Sequence, residues 1–126
     1  EPPPNVLAGQ RVLLVEDSLI IALDAEDILR KLGAENVDTA ASVEAALDLI
    51  DNIRPTVAIL DINLGHAESF PIADRLLELQ IPFLFATGYG EQARIPTEHH
   101  GRAVIQKPYT LEIVARSIAS LLTTGM

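Results

Sequence analysis

Cysteine is absent from this 126-residue chain. Without thiols there is no disulfide frame, no thiolate metal site and no cysteine nucleophile, and the sequence fits a cytoplasmic protein. Long apolar runs are absent as well. None approaches the ~20 residues that a membrane span needs, and no signal-peptide layout stands at the start. Positive charge is scarce: nine Lys and Arg face eighteen Asp and Glu, a formal net charge of -9. That balance argues against non-specific binding to nucleic acid or to an anionic membrane surface. No internal repeat or low-complexity segment occurs. What remains is a chain of one-domain length, 48% hydrophobic and so able to build a real core.

The first residues, EPPPNVLAG, are rich in proline and read as an extended tail or linker over 1–9, with one folded domain over 10–126. The rest alternates between two periods. Short apolar runs fall at Arg11–Glu16, Asn36–Ala40, Thr56–Asp61, Pro82–Thr87 and Arg102–Lys107. Between them lie stretches with helical spacing. Ile21, Ala25, Ile28, Leu29 and Leu32 share one face. Ser42 is placed to cap a helix carrying Val43, Ala46, Leu47 and Ile50. Pro71 suits a first helical turn before Ile72, Leu76, Leu77 and Leu79. Leu111, Val114, Ala115, Ile118, Leu121 and Leu122 form a last stripe. Strand and helix alternating in this way predict an α/β fold, a flavodoxin-like doubly wound sheet of five parallel strands in order 2-1-3-4-5 with helices on both faces. The fourth helix is the weak one, a turn or two near Gly90–Arg94, because Pro96 limits it.

Two of the apolar runs end in acid. Val12–Val15 lead into Glu16 and Asp17, and Val57–Leu60 lead into Asp61. In the predicted order those strands are neighbours, about 4.8 Å apart. Like charges ~5 Å apart at an effective dielectric of ~20 repel by about 3 kcal/mol per pair. Two counterweights are on offer. One is a hard divalent cation, which takes carboxylate oxygens. The other is Lys107, ending the fifth strand at the same rim, where Thr87 adds a hydroxyl from the end of the fourth. A cofactor binder of this fold would instead need a Gly/Ser/Thr-rich phosphate loop after the first strand, where Glu16, Asp17 and Ser18 stand. A phosphatase with an Asp nucleophile would want a second Asp where Asn63 stands.

An acidic pair after the first strand (Glu16, Asp17), an Asp after the third (Asp61), a Ser/Thr after the fourth (Thr87) and a Lys-Pro after the fifth (Lys107-Pro108) together resemble a response-regulator receiver domain over Gln10–Leu122. The runs FATGYG (Phe85–Gly90) and DINLG (Asp61–Gly65) are similar to the alphaproteobacterial subgroup nicknamed FAT GUY. The resemblance implies that Asp61 accepts a phosphoryl group from a histidine kinase or histidine phosphotransfer protein. It implies that Asp17, Asp61 and the backbone carbonyl of Asn63 bind Mg²⁺ (or Mn²⁺), with Glu16 acting through water. Lys107 and Thr87 would contact phosphoryl oxygens, and the Lys107–Pro108 peptide would be cis. Such a protein catalyses only its own phosphoryl transfer and dephosphorylation. The alternative is a receiver fold used as an interaction module or phosphate sink.

The sequence departs from the family pattern in four places. Glu16 stands where Asp is commoner, Gly65 where Pro is usual, Ser69 where Gly is usual, and Val104 where the switch aromatic is usual. Tyr89, two residues after Thr87, is the candidate substitute gate. Leu19 and Leu23, with Ile20 at the flank, lie opposite the core stripe of the first helix and are expected to dock the partner. A homodimer is allowed, though the short fourth helix and Val104 weaken the usual face for it. His66, His99 and His100 read as solvated loop residues rather than metal ligands.

Overall fold

Nothing polar interrupts Val12–Val15 or Val57–Leu60, and these two runs lie at the middle of the molecule. In the computed structural model, which describes residues 5–65, 67–88, 96, 99 and 103–124, they belong to β1 (Arg11–Val15) and β3 (Val57–Asp61). β2 (Asn36–Ala40), β4 (Phe83–Thr87) and β5 (Val104–Gln106) complete the sheet. All pairings are parallel and the order is β2-β1-β3-β4-β5. A strand buried on both faces needs side chains that are apolar at every position, not at every second one. Every residue of β3 is buried, and every residue of β1 after Arg11.

Among the described residues, four helices cover the two faces. α1 (Leu19–Lys31) and α4 (Leu111–Thr124) pack with Val12, Leu14, Val57, Ile59, Leu84 and Ala86. α2 (Val43–Ile53) and α3 (Phe70–Glu78) pack with Leu13, Val15, Ala58, Leu60, Phe83 and Phe85. The helix starts follow from local chemistry. Ser18 and Ser42 accept hydrogen bonds from the amides of Ile21 and Ala45, and the Thr110 hydroxyl accepts from the amide of Ile113. Each satisfies an amide that the helix cannot pair internally. Pro71 sits in the first turn of α3, where a missing N–H is harmless.

Several expectations change. Ala22 joins Ala25 and Leu29 as the buried residues of α1, while Ile21 and Ile28 lie at the border. Small alanines let the helix approach the sheet closely. Residues 5–9, read as the end of a tail, fold onto the domain. Leu7 is fully buried, and its amide bonds the Leu32 carbonyl at 2.9 Å. Gly33, at φ +100°, makes room for this: a Cβ there would sit 2.9 Å from Asn5 Oδ1. Among the described residues β5 spans Val104–Gln106, with ladder bonds running on at Ala103 and Lys107.

His99 is a correction. Its side chain is wholly buried, with Nε2 2.9 Å from Asp74 Oδ1. The ring stacks on Phe70 and meets Phe83 and Phe85 edge-on. A polar neighbourhood in sequence hid an aromatic box assembled from α3 and β4. Tyr89, the helical turn expected at 90–94, His66 and His100 lie outside the described residues.

Candidate functional site

Side-chain alternation along a strand decides which rim residues meet. Val12 and Leu14 of β1 face the α1/α4 side, and so does the next residue of that parity, Glu16. Val57 and Ile59 of β3 face the same side, and Asp61 follows them. Ile105 of β5 does likewise, which leaves Lys107 in step. The register then closes the set. Val15 pairs with Leu60, so Glu16 stands beside Asp61 one step on. The Glu16 amide still bonds the Ala40 carbonyl at 2.9 Å, and the Lys107 amide bonds the Thr87 carbonyl at 2.8 Å. Both residues are held by the sheet although neither is counted in a strand.

The outcome is a small charged pocket. Lys107 Nζ donates to Asp61 Oδ2 at 2.9 Å and to Glu16 Oε1 at 3.2 Å. Glu16 Oε2 accepts from the Ser18 amide at 3.1 Å. Glu16 and Asp61 are buried, while Asp17 is exposed. Glu16, Asp17 and Asp61 each offer a carboxylate oxygen, and these oxygens lie within 4.8 Å of one another. Two of the three acids thus share Lys107. Asp61 Oδ1 is buried with no hydrogen-bond partner.

The electrostatics follow from this shortage of positive charge. Burial pushes Glu16 up to about 7, with a further push from Asp61, against the opposing pull of the Ser18 amide and Lys107. Burial also raises Asp61, and Lys107 offsets it only in part. For Lys107, burial works to lower the pKa, but the adjoining Asp61 and Glu16 outweigh it and raise it. The lysine therefore stays charged.

The flanking loop has its own geometry. Gly65 has φ +84°, and its amide bonds Asn63 Oδ1 at 3.0 Å. Proline, locked near φ −65°, cannot take this conformation. The replacement of the usual Pro therefore goes with a different turn beside the acids, in which a Cβ on Gly65 would stand 3.5 Å from Asp17 Oδ2. Asn63 forms an isolated bridge with Glu68. Thr87 is the last residue of β4 and half-buried; Val104 is 43% exposed. The Lys107–Pro108 peptide is cis. Leu19, Ile20 and Leu23 are 73%, 77% and 56% exposed, forming an apolar patch that begins two residues after Asp17. Sequence reading overlooked Tyr109, which is buried with its hydroxyl unpartnered.

Residues 12–119 match the family model described as the response regulator receiver domain, and the chain belongs to that family, which serves two-component signalling. Among solved structures it is similar to SdrG from Sphingomonas melonis Fr1, at 38% identity over 90% of this chain and 96% of that one, with a TM-score of 0.79. Among curated relatives, it is 27% identical to the sensory transduction protein LytT of Bacillus subtilis (strain 168) over 86% of this chain and 46% of the relative. It is also 27% identical to the phyllosphere-induced regulator PhyR of Methylorubrum extorquens, over 88% of this chain and 43% of the relative. The chain thus spans under half the length of these two relatives. The likeness to SdrG and PhyR, with the FATGYG run, places it among FAT GUY-like receivers. Among the described residues no helix is long and apolar enough to cross a membrane.

Proposed function

We propose that this chain is a phospho-accepting receiver in which Asp61 takes a phosphoryl group from a phosphohistidine of a histidine kinase or histidine phosphotransfer protein. The observation that carries the reading is the buried Asp61 carboxylate, with Oδ2 on Lys107 and Oδ1 without a partner. A fold kept only as an interaction module gains nothing from such a group, because a buried acceptor left unsatisfied is destabilising.

The chemistry is a displacement at phosphorus. An Asp61 carboxylate oxygen forms the new P–O bond as the P–N bond of the phosphohistidine breaks. The imidazole leaves with the electron pair and takes up a proton. Lys107 supports both states: it favours the ionised carboxylate before transfer and the added phosphoryl oxygens after it. Thr87, at the end of the adjoining strand, contacts a phosphoryl oxygen and reports the modification. The same site hydrolyses its own acyl phosphate, and the chain acts on no other substrate.

Glu16, Asp17 and Asp61 form a set of oxygen donors alone, which suits Mg²⁺ or Mn²⁺ rather than softer metals. Asp17, Asp61 and the Asn63 carbonyl would hold the ion directly, and Glu16 through water. The ion supplies charge neutralisation where the incoming phosphoryl oxygens gather. The exposed Leu19, Ile20 and Leu23 flank the acids and dock the phosphodonor's helices. Tyr89 serves as the gate in place of the ring missing at Val104. Intact-mass spectrometry with acetyl phosphate and Mg²⁺ tests the central step. One phosphoryl group is expected on the wild type, removed by hydroxylamine, and none on Asp61→Asn. A hydroxylamine-stable adduct, or one that persists in the variant, would refute it.

A further inference from the structure

The chain between Lys107 and α4 holds a hydroxyl that the proposed chemistry leaves idle. Tyr109 lies two residues past Lys107, and Thr110 caps α4 immediately after it. Its ring is fixed in the core formed by Ile105, Val114, Ala115 and Ile118. Its hydroxyl is buried without a hydrogen-bond partner. A tyrosine in such a place ordinarily finds a partner for its oxygen, or is replaced by phenylalanine.

The polar groups that act on this hydroxyl are Glu16 and Asp61. Burial first, then the charges of Glu16 and Asp61, and last the Glu16 carboxylate as a nearby hydrogen-bond acceptor hold the phenol well above its usual pKa. The phenol therefore keeps its proton and is available as a hydrogen-bond donor. Glu16 already has its donors: the Ser18 amide on Oε2 and Lys107 on Oε1. Lys107 is shared with Asp61. A phosphoryl group on Asp61 would add negative oxygens and draw the ammonium toward them. Glu16 Oε1 would then lose the lysine, and the carboxylate would keep only the Ser18 amide and the water through which it serves the ion.

Building on the reading of Asp61 as acceptor, we propose that Tyr109 is a positioning residue, whose hydroxyl donates a hydrogen bond to Glu16 once the acceptor is phosphorylated. The unspent donor replaces Lys107 on Glu16, so that the lysine can turn to the phosphoryl oxygens without stranding a carboxylate. Tyr109 touches no reacting atom. It acts by holding Glu16 in place, and the same movement links the modified site to the start of α4.

Beryllofluoride with Mg²⁺, a stable mimic of the acyl phosphate, provides the test on the full chain. Tyr109→Phe removes one oxygen that has no partner in the unmodified protein, so its melting temperature without the mimic should match the wild type. The rise on adding beryllofluoride should fall by at least about half. The chain has two tyrosines and no tryptophan, so the near-ultraviolet difference spectrum reports the bond directly. In Tyr89→Phe, where Tyr109 is the one remaining tyrosine, a red shift of tyrosine absorption on adding the mimic is expected. An equal melting rise in Tyr109→Phe, or no red shift in Tyr89→Phe, overturns the role of Tyr109 and leaves Asp61 as acceptor intact. No melting rise in the wild type overturns both.

Discussion

Two buried polar groups sit on opposite faces of the sheet, and their surroundings differ in kind. His99 fills a box of three phenylalanines, with one nitrogen on Asp74, an acid that is itself largely exposed. Glu16 and Asp61 share one lysine, with a third acid within 4.8 Å. The first arrangement packs the His99 ring against α3 and β4. The second concentrates like charge that folding alone gives no reason to collect. Burial marks neither as functional by itself. What separates them is the unfilled demand for positive charge at the acid pocket.

The largest break in this comparison comes from deleting the ring. His99→Ala should lose about 3–4 kcal/mol of stability, the range for emptying an aromatic-sized core site. Urea unfolding measures that loss. Under conditions where the variant is still folded, acetyl phosphate should modify it to the same extent as the wild type. A folded His99→Ala that no longer accepts phosphate would join the two sites and remove the distinction drawn here.

The acid pocket should instead reveal itself through pH. Glu16 is raised from 4.5 to about 7 in the folded state, so between those values the folded protein binds more protons than the unfolded one. Stability therefore falls as pH rises through that window, by on the order of 3 kcal/mol in the absence of divalent cations. The raised Asp61 contributes with the same sign. Urea midpoints between pH 5 and 8 in EDTA should decline for the wild type and decline less for Glu16→Gln. Identical slopes would mean that Glu16 is not desolvated as its position indicates.

Much of this was legible in the sequence because the signals were periodic. Continuous apolar runs gave the central strands, and the acids, Thr87 and Lys107 announced themselves by ending strands at one rim. The sheet order followed from the alternation of elements. What escaped depended on contacts between distant segments. Leu7 is buried by the turn after α1, and no local pattern distinguishes it from tail. His99 stands among polar residues in sequence, while its box is built by α3 and β4. Tyr109 drew no reading from the sequence, and its burial among Ile105, Val114, Ala115 and Ile118 needed the fold. Gly65 was visible as a departure, but its left-handed turn beside Asp17 needed the fold.

The smallest expected effect is also the one most specific to the acid pocket. Asp17 is exposed, and among its near neighbours are two buried carboxylates. Asp17→Asn deletes one of three like charges while keeping the side chain's shape. Without divalent cations the variant should melt at or slightly above the wild-type temperature, since repulsion is relieved and no buried partner is lost. In Mg²⁺ the order should reverse. An ion present at ~100 times its dissociation constant stabilises the folded state by about 2.7 kcal/mol, and the variant should forgo most of that gain because a direct ligand has lost its charge. Calorimetry in EDTA and in Mg²⁺ checks the crossing of the two curves. If Asp17→Asn rises in Mg²⁺ as far as the wild type, the carboxylates are not the ion's ligands, and the demand for positive charge is met by Lys107 alone.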